Sequence, residues 1–232
     1  MILGIIGGMG ALATCDLFQK IIEKTDAKTD RDHLHIIIDN NTQIPDRTEY
    51  IMGFGEDPRI EMIESAKKLE SMGADYIVMA CNTAHYFYED IVKNTTVKII
   101  HMIEETAKYL EKIESENKDY LLLSTEGTYN SQIYQKEFNK LGLNIIEPDK
   151  KDKETIMKWI YDAKASIFDL SIQEYNALIS KYMKDINPTV ILGCTELSVI
   201  ANKIHLKEKQ YINPTAVLAS YCVELAREEI TK

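Results

Sequence analysis

Two apolar runs of the chain each end in a lone cysteine: YIVMACNTA at 76–84 and TVILGCTEL at 189–197. Asn82 and Thr83 follow Cys81, and Thr195 and Glu196 follow Cys194. A thiol with a free pKa near ~8.5 is an acid when protonated and a base when ionised, and a helix N-terminus can bring that value towards neutrality. Two thiols on opposite sides of one cleft suit inversion at a tetrahedral carbon. One removes a proton from one face while the other delivers a proton to the opposite face, and the reverse reaction exchanges their roles. The polar residues after each cysteine can supply the donors and capping oxygens of such a helix start.

Placing the thiols this way requires an architecture, and the hydrophobic pattern supplies one. Short aliphatic runs alternate with longer segments of helical period, the mark of parallel sheets covered by helices. The expected class is α/β, with strands at Ile2–Ile6, His35–Asp39, Tyr76–Ala80, Val97–Ile100, Tyr120–Ser124, Asn144–Glu147, Thr189–Gly193 and near Tyr211–Asn213. Asp57-Pro58 and Gly73 bracket a helix whose stripe is read as Ile60, Ile63, Ala66 and Leu69. Ser171 and Glu174 form a capping-box pattern ahead of an apolar face of Ile172, Tyr175, Leu178, Ile179, Tyr182 and Met183. The polar run Glu111–Asp119 is the expected crossing between halves.

The second half echoes the first. IIGGMG at 5–10 aligns with LLSTEG at 122–127, and the two cysteine runs align with each other, which points to one βαβαβ unit used twice. Ligands of such units sit outside the carboxyl ends of the strands. Cys81 and Cys194 then face one cleft, lined by Gly7-Gly8-Met9-Gly10 and Thr125-Glu126-Gly127-Thr128.

Composition narrows the partners. The net charge of -10 argues against nucleic-acid or anionic-membrane partners. The opening MILGIIGGMGALATC lacks a basic region and its apolar run is broken by glycines, so a cytoplasmic protein is expected, with no membrane span. Cys15 and Cys222 read as small buried core residues without a role. Other chemistries find less in the sequence. GIIGGMG lacks the spacing of a dinucleotide fingerprint, Cys81 and His85 have no second zinc-type pair after them, and a pyridoxal-phosphate enzyme would need a Schiff-base lysine such as Lys164.

The chain resembles the aspartate/glutamate racemases within the wider Asp/Glu/hydantoin racemase superfamily. The motifs that carry the resemblance are GIIGGMG with Ala13-Thr14, NTQIPDR at 41–47, ACNTAH at 80–85, STEGT at 124–128 and GCTEL at 193–197, in the family's order. The resemblance implies two similar α/β domains, the first of residues 1–104 with 213–232 and the second of residues 105–212, with a C-terminal helix that returns to the first. It also implies a cofactor-independent amino-acid racemase without a metal, a homodimer, a substrate held in the interdomain cleft, and Cys81 and Cys194 as the acid/base pair.

By the same resemblance Arg47 and Lys164 stand where aspartate-selective members place cations, so a small acidic amino acid is the expected substrate. An arginine fork fits a carboxylate bidentately, and a lysine adds a second point charge. Read alone, Arg47 would be an ordinary loop salt bridge and Lys164 a solvated helix residue. Thr83, Thr125, Thr128 and Thr195, with the backbone at Met9 and Gly10, are the expected holders of the α-carboxylate. Asn82 would stabilise charge developing in the transition state, and Glu196 completes the lining. Two positions depart from the family pattern: Ala11 stands where proline is usual, and Asn213 where aspartate is common. Hydantoin racemisation, or maleate isomerisation with one cysteine as nucleophile, is the alternative chemistry.

Overall fold

The structure, a computed structural model, describes residues 1–113, 118–183, 188–207 and 211–230. Its first half runs β1 (Ile2–Gly7), α1 (Ala11–Lys24), β2 (His35–Asn40), α2 (Arg47–Ile51), α3 (Arg59–Ser71), β3 (Tyr76–Met79), α4 (Tyr88–Val92) and β4 (Lys98–Ile100). Helix α5 (Met102–Ile113) leads to β5 (Asp119–Leu123), α6 (Glu126–Ser131), α7 (Ile133–Asn139), β6 (Asn144–Ile146), α8 (Lys150–Lys164) and α9 (Ile172–Ile179). The chain then forms β7 (Thr189–Leu192), α10 (Thr195–Lys203), β8 (Tyr211–Ile212) and α11 (Pro214–Ile230). Of the polar run expected between the halves, residues 114–117 lie outside the described residues.

The strands form two parallel sheets with one topology, β2-β1-β3-β4 and β6-β5-β7-β8. The central strands β1, β3, β5 and β7 read as nearly continuous apolar runs because helices cover both faces of each sheet. On one face of the first sheet Leu3 and Ile5 pack with Leu17 and Ile21 of α1 and with Leu218, Ala219 and Cys222 of α11. On its other face Ile6, Ile77 and Met79 pack with Met62, Ala66 and Leu69 of α3. Although β8 belongs to the second sheet, α11 returns to the first. Helix α5 touches both halves: Met102 enters the first core, and Ile103, Ala107 and Leu110 enter the second.

Two packing expectations are corrected. Cys15 is exposed, not core. The buried stripe of α1 is Ala13, Thr14, Leu17 and Ile21, which turns Cys15 and Phe18 outward. In α3 the inward stripe is Met62, Ser65, Ala66 and Leu69, and Ile60 stands 64% exposed on the opposite side. The capping box at Ser171 and Glu174 is present, and Tyr175, Leu178 and Ile179 are buried behind it.

Candidate active site

Both cysteines stand at the carboxyl end of a central strand. Cys81 follows β3 and Cys194 follows β7, the equivalent position in the repeated topology. Both thiols are buried, and the charge of Cys81 acts on Cys194. Their local settings differ. Cys194 is the N-cap residue of α10, whereas Cys81 precedes a short 3₁₀ turn over Thr83–Phe87. The Cys194 Sγ donates to Glu196 Oε2 at 2.9 Å, and Thr195 Oγ1 donates to the same oxygen at 3.2 Å.

A helix N-terminus was expected to lower the thiol pKa, but Cys194 moves the other way. Burial pushes its thiol well above the usual range, and the Glu196 charge, the hydrogen bond to it and Cys81 add to that shift, while Lys164 opposes it. Glu196 therefore acts through its carboxylate on the thiol.

The halves are joined by side chains at these strand ends. Thr83 Oγ1 lies 3.0 Å from Thr125 Oγ1 and 2.9 Å from Thr128 Oγ1, and the latter two are 3.1 Å apart. Thr125 also N-caps α6 by accepting from the Thr128 N–H. Asn82 Oδ1 accepts from the Tyr134 hydroxyl at 2.6 Å, while the buried Asn82 Nδ2 has no partner. Gly10 caps α1, and a side chain there would begin 3.3 Å from Glu196 Oε1, so the Met9-Gly10 loop closes directly on the second half.

Arg47 is only 6% exposed, and its guanidinium meets backbone carbonyls rather than forming an ordinary loop salt bridge. Its guanidinium donates from Nη1 to Ile44 O and Pro45 O at 3.2 and 2.8 Å, and from Nη2 to Met9 O at 3.2 Å. Arg47 thus fixes both its own turn and the glycine loop, with Nε left buried and unpartnered. The residue before it, Asp46, caps α2 through the N–H groups of Thr48 and Glu49 and also meets Lys164 Nζ at 3.2 Å. Burial opposes ionisation of Asp46, yet Lys164, Arg47 and the Glu49 N–H together hold its carboxyl below the usual range. Burial likewise pulls Lys164 down, but Glu196, Asp46 and Cys194 outweigh it and the ammonium is held above its ordinary value. The two expected cations are therefore brought together through Asp46, a residue the sequence reading passed over.

His85 is committed to the backbone. Its Nδ1 donates to Cys81 O at 2.9 Å, with Asn82 O also in reach, and Nε2 accepts from the Met102 N–H at 3.1 Å. Both ring nitrogens are occupied in holding the Cys81 turn, which leaves neither to join Cys81 on a metal. At Asn213 the amide caps α11 through Oδ1 and donates from Nδ2 to Ser198 Oγ at 2.7 Å. Ser198 in turn donates to Asp16 of α1 at 2.6 Å, so the carboxylate joining the halves here comes from Asp16. Ala11 occupies the first position of α1, where a proline would also fit. Among the described residues no helix is long and apolar enough to cross a membrane.

The site thus lies where two repeated parallel α/β units meet, with a cysteine at the equivalent strand end of each. The family model described as Asp/Glu/Hydantoin racemase matches residues 6–222, and the chain belongs to that family. It is an amino-acid racemase by family, an isomerase. It is 30% identical over 228 residues to "Broad specificity amino-acid racemase RacX" of Bacillus subtilis, covering 95% of this chain and 96% of that protein. The solved structure of "Picrophilus torridus aspartate racemase" superposes with a TM-score of 0.79 at 32% identity, covering 96% of this chain and 94% of that one. A "Glutamate racemase" of Staphylococcus epidermidis is 26% identical over 199 residues, covering 80% of this chain and 72% of its own.

Proposed function

We propose that this racemase interconverts the enantiomers of aspartate, of glutamate or of both, without a cofactor, through proton transfer by Cys81 and Cys194. The observation that carries the proposal is the placement of two buried thiols at equivalent strand ends of a repeated fold. One cysteine, as thiolate, takes the α-proton, and the electron pair left on Cα is delocalised into the α-carboxylate. The other, as thiol, delivers its proton to the opposite face, and the products are the other enantiomer and a pair with its protonation exchanged. The hydroxyls of Thr83, Thr125, Thr128 and Thr195, the Met9-Gly10 backbone and Asn82 hold the α-carboxylate, while Lys164 and the unpartnered Arg47 Nε serve the distal carboxylate. Glu196 governs the protonation of Cys194.

A broader amino-acid range is a second reading with its own support. Lys164 is already paired with Asp46, Arg47 already serves three carbonyls, and Asp46 and Glu196 offset both cations. A site so balanced offers little surplus charge to a second carboxylate. Racemisation of a panel of L- and D-amino acids without added cofactor distinguishes these readings. Preference for aspartate or glutamate supports the first, equal turnover of neutral amino acids supports the second, and turnover of maleate or a hydantoin in place of amino acids rejects both.

The proposal includes a cytoplasmic setting, the division into residues 1–104 with 213–232 and residues 105–212, and a homodimer. Leu12, Phe18 and Ile22, exposed along α1, suit an interface between copies, which light scattering in solution tests.

A further inference from the structure

The Tyr134–Asn82 contact crosses the cleft from the second half to the first. Gln132, in the left-handed conformation with φ 55°, separates α6 from α7 and lets the chain turn, so Tyr134 enters in the first turn of α7. The ring is fully buried, packed with Leu122, Ile103 and Ala107 and tilted against Phe138 at 5.5 Å between centroids. A ring fixed on all sides holds its hydroxyl at one point, 2.6 Å from Asn82 Oδ1.

That contact decides which way the amide faces. A phenol hydrogen needs an acceptor, and Oδ1 provides one. With the amide reversed, Nδ2 would donate to the phenol oxygen and the phenol hydrogen would be stranded in the core. Burial keeps the phenol pKa well above its ordinary value, so the hydroxyl remains a donor. The amide therefore turns its Nδ2 away from Tyr134. The two N–H bonds of Asn82 Nδ2 then remain buried and unpartnered, on the residue that follows Cys81. A buried donor without a partner is destabilising and calls for a reason, of which completion by a bound ligand in a catalytic site is one.

We propose that Tyr134 is a positioning residue for racemisation: its hydroxyl locks the Asn82 side chain so that Nδ2 donates to the substrate carboxylate as charge develops there. This rests on the racemase reading above. Loss of the α-proton sends an electron pair into the carboxylate, so the acceptor gains charge between ground state and transition state. A donor aimed at it in advance strengthens over that step and acts on kcat more than on KM.

The test is a double-mutant cycle on racemisation of the best substrate in the amino-acid panel. Tyr134→Phe retains the buried ring and removes only the hydroxyl, so circular dichroism should show an intact fold. Its kcat is expected to fall about 10-fold with KM changed less than about twofold. Asn82→Ala should fall about 100-fold, in the range for loss of one preorganised donor. Asn82→Asp, which retains an acceptor for Tyr134 but has no donor, should be as slow as Asn82→Ala. Tyr134→Phe added to Asn82→Ala should cause no further loss, since the tyrosine acts only through the amide. Wild-type kcat in folded Tyr134→Phe, or losses that multiply in the double variant, would overturn the positioning role while leaving the racemase reading intact. A wild-type protein that racemises no amino acid overturns the reading itself.

Discussion

Cys194 donates its thiol hydrogen to Glu196 Oε2 across 2.9 Å, and this contact makes the thiol pair asymmetric in its resting state. Burial and the glutamate charge both favour the protonated thiol, which in the proposed mechanism makes Cys194 the acid of the free enzyme. Replacing Glu196 with glutamine removes a charge that raises the Cys194 pKa. The limb of the kcat/KM profile that reports Cys194 should then move to lower pH, with turnover reduced by roughly 10-fold. A pH–rate profile superimposable on wild type would show that Glu196 does not govern the thiol.

Arg47 joins the site to the stability of the fold. Its three carbonyl contacts are buried, and lysine keeps the charge but not the fork that reaches Ile44, Pro45 and Met9 together. Arg47→Lys should therefore lower the unfolding free energy in urea by roughly 2–4 kcal/mol and also reduce turnover. Stability within about 0.5 kcal/mol of wild type would assign Arg47 to substrate binding alone.

For Lys164 the expected effect is selective. Lys164→Met should reduce kcat/KM for aspartate by more than about 10-fold and for neutral amino acids by less than about threefold, because only the former carries a distal charge to lose. Equal losses for both classes would place the lysine in general service of Asp46 and Cys194.

Acid should weaken the protein above the range where carboxylates titrate. Burial pushes His85 down to about 3 and His101 down to about 4, whereas each would titrate near about 6.5 when unfolded. Between those values the unfolded chain binds more protons than the folded one, so stability is present above pH ~6.5 and lost as pH falls. Denaturant titrations from pH 6 to 5 should show a decline approaching about 1.4 kcal/mol per unit for each histidine. A flat stability over that interval would mean that both rings are protonated in the folded state.

Much of this architecture is legible in the sequence because parallel strands covered on both faces must be apolar along their length. IIG before the first glycine loop, IVM before Cys81 and VIL before Cys194 could hardly lie elsewhere. The repeat of strand, loop and cysteine likewise predicted the matching strand orders. What the sequence did not disclose were relations formed only in three dimensions. Nothing in the spacing marked Arg47 as buried, because its partners are backbone carbonyls, one of them 38 residues away. Tyr134 and Asp46 went unremarked, because their partners Asn82 and Lys164 lie far from them along the chain. Apolar spacing marks the inward face of α9 at Tyr175, Leu178 and Ile179 but misplaces Cys15 and Ile60, which lie exposed on α1 and α3.

The central claim, proton transfer by two cysteines on opposite faces, is tested most directly by following deuterium during racemisation of pure L-aspartate in deuterated water, by mass and chirality together. The proton taken from the substrate remains on one thiol while the opposite thiol delivers a solvent-derived deuteron. D-Aspartate should therefore carry α-deuterium from its first appearance while the remaining L-aspartate stays largely protiated. In Cys81→Ala and Cys194→Ala no D-aspartate should form. Early α-deuterium appearing equally in both enantiomers, or D-aspartate formed at near the wild-type rate by either folded variant, would contradict a two-cysteine mechanism.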